Sequence, residues 1–415
     1  MNRISTNQKN NDFQYHLKVR ETALNRAQNQ MADQRRIQNL RDDPVAAAHA
    51  TRLQSVISRL NQFAKNSESV VSDLRIAEGY MNESVQIMHR INELAIQGAN
   101  GTYAKDDLRV MGVEVDQLLN ELITLANGKN GKGEPIFGGD RMDALPFRSL
   151  TGKVPGAEGQ VVTNVDYIGT IAKNQAEITD GAYIQSNFPG NSVFWAENQQ
   201  LYSLVDSQNF QVVQDSAIFV DGQEVGLKAG DNVYAVMAKI NQADVSVKAR
   251  LDPVTNGMIL ESTMPHQIWL QDAPGSKVLQ DLGMLSGLND RPPHNLSPDV
   301  RAFGGSLFEA VISVRDQMFE GNNDFLGTRG LAALQQASNN LISKVSDLGS
   351  RDSRLQENMR RLAYEIPEYG ERNSKLVDLD ITQGITDLKM LENTHKAALG
   401  AAGKMLQPTL MDFLR

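Results

Sequence analysis

The chain has 415 residues and a net charge of −9, with 41 Lys and Arg against 50 Asp and Glu, and only 40% of it is apolar and 6% aromatic. That length has room for two or three cores, but so dilute an apolar content excludes a thick globular interior over much of it. Basic and acidic residues are interspersed, which excludes the basic stripe that nucleic acid or an anionic membrane requires; cysteine is absent, which excludes disulfide staples and thiol or Cys-zinc chemistry.

The opening, MNRISTNQKNNDFQYHLK, lacks the apolar core of a signal peptide, and no run of about 18 apolar residues follows. The expectation is a protein that stays in the cytosol or leaves it without a cleaved signal. Phe13, Leu17, Leu24, Ala27 and Met31 recur at steps of three, four or seven and predict a first helix to about Arg41. Asp42 and Asp43 before Pro44 mark a fresh start, with Asp as cap and Pro in the first turn. A second helix is predicted from Pro44 to about Gln97 with Gly79 inside it, striped by Val70, Leu74, Ala77, Met81, Val85, Met88, Ile91 and Ala95. Unbroken, it would be roughly 80 Å long. A third, Lys105 to Ala126, returns along it through Val113, Leu118, Leu122 and Leu125.

From Asn127 the composition changes. GKNGKGEPIFGGD breaks helix, and strands and turns follow to Leu296. Ile218–Val220 and Val225–Leu227 flank Asp221-Gly222, and Val245–Leu251 and Met258–Leu260 flank Asn256-Gly257, so each set reads as a hairpin. Between them Val233, Val236, Met237 and Ile240 describe a short amphipathic helix, which makes the middle an α+β insert. After NDRPPHNLSP, helix is expected to resume near Arg301, with breaks at Gly321–Gly330 and at Pro367–Gly370, where proline predicts a kink. Ile381, Ile385, Leu388, Leu391, His395, Leu399, Ala402 and Leu406 give the last helix a coiled-coil seam.

The predicted fold is therefore α+β: a discontinuous antiparallel helical-bundle and coiled-coil rod made from both termini, around a central β-rich insert. The expected division is 1–43 as an N-terminal assembly helix, 44–139 and 300–366 as the two parts of the rod, 140–299 as the insert, and 367–415 as a C-terminal assembly helix. Terminal seams rich in Ala, Asn and Gln bury too little alone to offset the entropy of ordering them, so they are expected to order against neighbours. The expected assembly interface is Phe13, Leu17, Leu24, Met31, Ile381, Ile385, Leu388, Leu399, Leu406 and Leu410, with Asp42, Asp43 and Pro44 as the cap motif.

Catalytic chemistry has little support. The six histidines show no HExxH or other metal spacing. Gly128, Gly131 and Gly133 follow a helix and lack the spacing of a phosphate-binding loop, while Asp252–Gly257 has Val254 at a calcium-ligand position and reads as a hairpin turn. No catalytic residue, cofactor or metal is expected, and no nucleophile, base and orienting group stand together in residues 140–299.

RDDPVAAAHA, LRIAEGYMNESVQIMHRINELAIQGANGTY, GEPIFGG, and the LQPTLMDFL of residues 406–414 together resemble the flagellin superfamily, and within it the hook-associated branch that joins hook to filament. FVDGQEVGLKAGDNVYAVMAKIN with its following hairpin is similar to the Ile-Asn motif domain of that superfamily, about residues 215–288, with Lys239, Ile240 and Asn241 as the name-giving part. Met31–Ile37, with Asp33, Arg35 and Arg36, departs from the usual small-residue stretch. The resemblance implies a structural adaptor of the bacterial flagellum, exported unfolded by the flagellar secretion system. Its implied partners are hook-associated protein type 1, flagellin, further copies of itself and a cytosolic export chaperone, with no nucleic acid and no membrane insertion. A minor filament flagellin is the alternative within the superfamily.

Overall fold

The computed structural model describes residues 6–141, 143–287 and 291–405. Three long helices come first, α1 (Thr6–Asp33), α2 (Pro44–Ala99) and α3 (Lys105–Ala126). The middle holds strands β1 (Phe147–Lys153), β2 (Gln160–Tyr167), β3 (Gln175–Thr179) and β4 (Ala182–Gln185), a short helix α4 (Gly190–Val193), and β5 (Gln200–Ser203), β6 (Ser216–Val220) and β7 (Gln223–Leu227). It continues through α5 (Val233–Gln242), β8 (Val247–Leu251), β9 (Met258–Ser262), β10 (Leu270–Asp272), α6 (Val278–Asp281) and β11 (Val300–Phe303). Helices α7 (Leu307–Glu320) and α8 (Asn323–Phe325), a π-helical turn at Leu326–Gly330, α9 (Leu331–Val377) and α10 (Ile381–Met405) complete the chain. The described residues divide into two compact units, one up to Lys65 and from Met359 onward, the other Asn66–Asn358.

In the larger unit α2 buries Ser67, Val70, Leu74, Ala77, Met81, Ser84, Met88, Ile91 and Ala95, in strict alternation of three and four. This is the period of a coiled-coil seam. Its partner α9 answers with Leu334, Ala337, Leu341, Leu348 and Leu355, all fully buried. The two run antiparallel: Asn92 Nδ2 donates to Ser338 Oγ at 3.3 Å, and Asn358 Nδ2 to Ser67 Oγ at 3.3 Å. Ser84, not Val85, takes its turn on the seam, and its hydroxyl donates to Tyr80 O at 2.8 Å, so the polar group is satisfied.

Helix α3 packs on α7 and buries Leu122 and Leu125 as expected, but the earlier part of its stripe is displaced by one position. Leu108, Val115, Leu119 and Leu122 are buried, whereas Leu118 is half-buried and Val113 is 48% exposed. The true stripe passes through Gly112 and Ala126, whose small side chains hide it in the sequence. Gly112 is required, because a Cβ there would stand 2.8 Å from the Phe319 ring.

Strand β11 and the start of α7 also correct the reading. Residues 300–303 are not helical: they pair antiparallel with β5, Val300 opposite Ser203 and Phe303 opposite Gln200. Helix begins only at Leu307, where Ser306 Oγ accepts the Glu309 amide at 3.2 Å. It ends at Gly321, whose φ of +81° suits glycine at a helix C-terminus. Nor is there an interruption at Pro367–Gly370: α9 runs through both to Val377. Proline removes one donor from the ladder, but the flanking turns hold, and the break comes at residues 378–380.

The central sheets are antiparallel, in the orders β1-β2, β3-β4, β10-β6-β7 and β11-β5-β9-β8. Both expected hairpins are present, with Ser216 opposite Leu227 and Val247 opposite Ser262. Helix α5 is capped by Asn232, whose Oδ1 accepts from Ala235 N at 2.9 Å, and it buries Val236 and Ile240 against Ile218, Val225, Val247 and Leu260. Asn241 explains its own place: its Oδ1 accepts Ala249 N at 2.8 Å and its Nδ2 donates to Ala249 O at 2.9 Å, so one side chain substitutes for a strand partner. Separately, Phe147 meets Tyr167, Phe194 and Phe308 at ring distances of 5.1 to 5.3 Å. That aromatic cluster draws on positions too scattered for periodicity to reveal.

Candidate assembly interface

In the smaller unit the two terminal helices, α1 and α10, pair with each other. On α1, Phe13, Leu17, Leu24 and Met31 are half-buried; on α10 the half-buried positions are Gly384, Leu388, Leu391, His395 and Ala398. Both sets follow helical three-and-four spacing, so each helix turns one stripe toward the other. Gly384 allows close approach, since a Cβ there would lie 3.3 Å from Met31 Sδ.

This pair leaves apolar surface uncovered. Ile381, Ile385 and Leu399 are 50%, 40% and 48% exposed. Stepping by 100° per residue, they lie beside the stripe that faces α1 and share a second one. The expected seam thus resolves into two: Leu388 and Leu391 with α1, and Ile381, Ile385 and Leu399 without a partner among the described residues. Leu406 and Leu410 lie outside the described residues.

Where the helices end, backbone replaces side-chain packing. Arg36 N donates to Val377 O at 2.8 Å and Leu379 N to Gln34 O at 3.0 Å, while Arg36 Nη2 donates to Leu376 O at 2.9 Å. Higher up, Arg20 Nη1 donates to Thr394 O at 3.2 Å. Helix α1 stops at Asp33 instead of Arg41 because the next residues make these bonds; Gln34 takes a φ of +53° at the turn. The basic pair Arg35-Arg36 stood out in the sequence only as a departure from small residues, and its backbone role could not be read there.

The two aspartates before Pro44 have separate tasks. Asp43 Oδ1 accepts the Ala46 amide at 3.0 Å, which makes it the cap of α2. Asp42 instead accepts from Asn39 N at 2.9 Å and Gln38 N at 3.1 Å, and pairs with Arg26 at 2.6 Å. The Asn39 amide first, then that of Gln38 and the Arg26 guanidinium, hold its carboxyl below the usual carboxylate range. Asp380 plays the capping part for α10, accepting from Thr382 N at 2.9 Å and Gln383 N at 3.2 Å.

Among the described residues no three His, Asp or Glu side chains gather as a metal site, and no described helix is long and apolar enough to cross a membrane.

The model of the bacterial flagellin N-terminal helical region matches residues 4–141. A flagellar filament 31.3 kDa core protein of Treponema maltophilum is 34% identical over 113 residues, which is 27% of this chain and 40% of that one. Flagellar hook-associated protein 3 of Salmonella typhimurium is 27% identical over 164 residues, 40% of this chain and 50% of that one. The chain thus spans half or less of the length of these curated relatives. Among solved structures, flagellar hook-associated protein 3 of Legionella pneumophila is similar at a TM-score of 0.48 and 19% identity, covering 79% of this chain and 98% of that one.

Proposed function

We propose that the chain, whose residues 4–141 match the bacterial flagellin N-terminal helical region, is a non-enzymatic subunit of the flagellar axis, placed at the junction between hook and filament. The observation that carries this is the uncovered stripe of Ile381, Ile385 and Leu399 on a helix already paired along its neighbouring face. An apolar stripe left open beside a used one normally marks an interaction site. In this reading the stripe packs against further copies, flagellin on one side and hook-associated protein type 1 on the other, after a cytosolic chaperone has covered it before export through the flagellar secretion system.

Replacing Ile385 and Leu399, both on the open stripe, together by Asp tests it. The expected result is an unchanged fold of the Asn66–Asn358 unit, with hooks built but filaments unattached. Normal filaments on the double mutant would overturn the role. The second reading, a minor filament flagellin, is favoured by the higher identity to the Treponema maltophilum filament protein. It predicts that loss of the protein leaves filaments attached, and immuno-electron microscopy would then find it along the filament instead of at its base.

A further inference from the structure

Within the larger unit, segments between Thr170 and Arg351 enclose an open cleft of about 1360 Å³. Its acidic side chains are mostly engaged. Asp221 Oδ2 meets His266 Nε2 at 2.8 Å while its Oδ1 accepts Trp269 N at 3.0 Å. Asp272 accepts the amides of Leu279 and Gln280, and Asp347 pairs with Arg351 at 2.7 Å.

On the α9 wall Arg351 has that one carboxylate, whereas Lys344 makes no hydrogen bond or ion pair among the described residues. Lys344 is half-buried, and burial pushes its ammonium below the usual lysine range. The charges that act on it are Asp347, Arg351 and Lys173, two of the three positive. Arg351 lies 4.7 Å from the Phe188 ring centre, and its Nη1 donates to nothing. A desolvated cation with no acceptor is costly, and here it stands among other cations in a chain whose net charge is −9. The cleft as a whole is lined by as many carboxylates as Lys and Arg side chains, so the positive character is local to the surroundings of Lys344 on the α9 wall.

We propose that this cleft binds an oxyanion, a phosphoryl or carboxylate group on a small ligand, seated on Lys344 between Lys173 and Arg351. The anion supplies the acceptor that Lys344 lacks and offsets the positive charge around it. Asp347 keeps its bond to Arg351 and orients the guanidinium.

Calorimetric titration of the full chain at constant ionic strength tests this, with inorganic phosphate, citrate and acetate as separate probes. Saturable binding of at least one is expected, weakened tenfold or more in Lys344→Gln. Phosphate alone identifies a phosphoryl ligand, and citrate or acetate alone a carboxylate. Heats that do not saturate for any probe, or saturate equally in Lys344→Gln, overturn the proposal. Lys344→Met gives an independent reading without ligand: the melting temperature should rise when the unpaired ammonium is removed. A fall would show that Lys344 serves the fold and not a ligand.

Discussion

The α2/α9 and α3/α7 packing of the larger unit and the α1/α10 pair of the smaller one use the same three-and-four spacing with opposite results. In the first, Met81, Met88, Leu119, Leu334 and Leu341 have no exposed surface. In the second no position of the stripe on either helix is fully buried. Period alone therefore says which face packs, and side-chain size and the number of neighbouring helices decide whether it closes. Four helices surround the core of the larger unit, whereas two cannot cover each other.

The sharpest way to break this comparison lies at Arg315, which is completely buried between Asp116 at 2.6 Å and Asp316 at 2.7 Å. Burial raises the Asp316 carboxyl above its usual range, against the pull of Arg315. Arg315→Ala strips two partly buried carboxylates of their partner and should lower the urea stability of the larger unit by about 3–5 kcal/mol. A loss close to zero would mean that this core is as loosely held as the terminal pair. Next, Leu119→Ala should cost about 2–5 kcal/mol, and half-buried Leu118→Ala roughly 1 kcal/mol. Reversal of that order would return the stripe to the register first read from the sequence.

Within the smaller unit the effects shrink. Asp43→Ala removes the cap of α2 and should cost about 1 kcal/mol, seen as faster amide exchange at Ala46 and Ala47 with no change at Leu341. Asp42 gives the smallest signal. Its carboxyl titrates below its ordinary value of 3.8 in the folded chain, so its stabilisation is present above about pH 4 and is lost as pH falls through the lower folded value. Acid should loosen residues 36–42 in that window, and Asp42→Asn should abolish the dependence. An unchanged acid profile in that variant would place the titrating group elsewhere.

Much of the helical pattern was legible because α2 repeats its period for many turns and Pro44, Gly98 and Gly101 punctuate it. Both hairpins and α5 were legible from Asp221-Gly222, Asn256-Gly257 and the alternation around them. What stayed hidden depends on partners distant in sequence. Residues 300–303 are a strand because β5 offers an edge, and Ser306-x-x-Glu309, a readable capping signal, was the one clue to where helix restarts. The division of the last seam also needed α1, since the sequence shows which residues are apolar and not which half of them is already taken.

The bonds that link Gln34 and Arg36 with Leu376, Val377 and Leu379 join points 340 or more residues apart. Closing a loop of n residues costs about (3/2)RT ln n, so doubling the enclosed length adds only about 0.6 kcal/mol. Two or three backbone bonds of about 1 kcal/mol each outweigh that increment. The chain between those points can therefore lengthen or shorten by whole domains with almost no entropic penalty felt at the termini, which leaves the ends to keep one pairing while the middle changes freely.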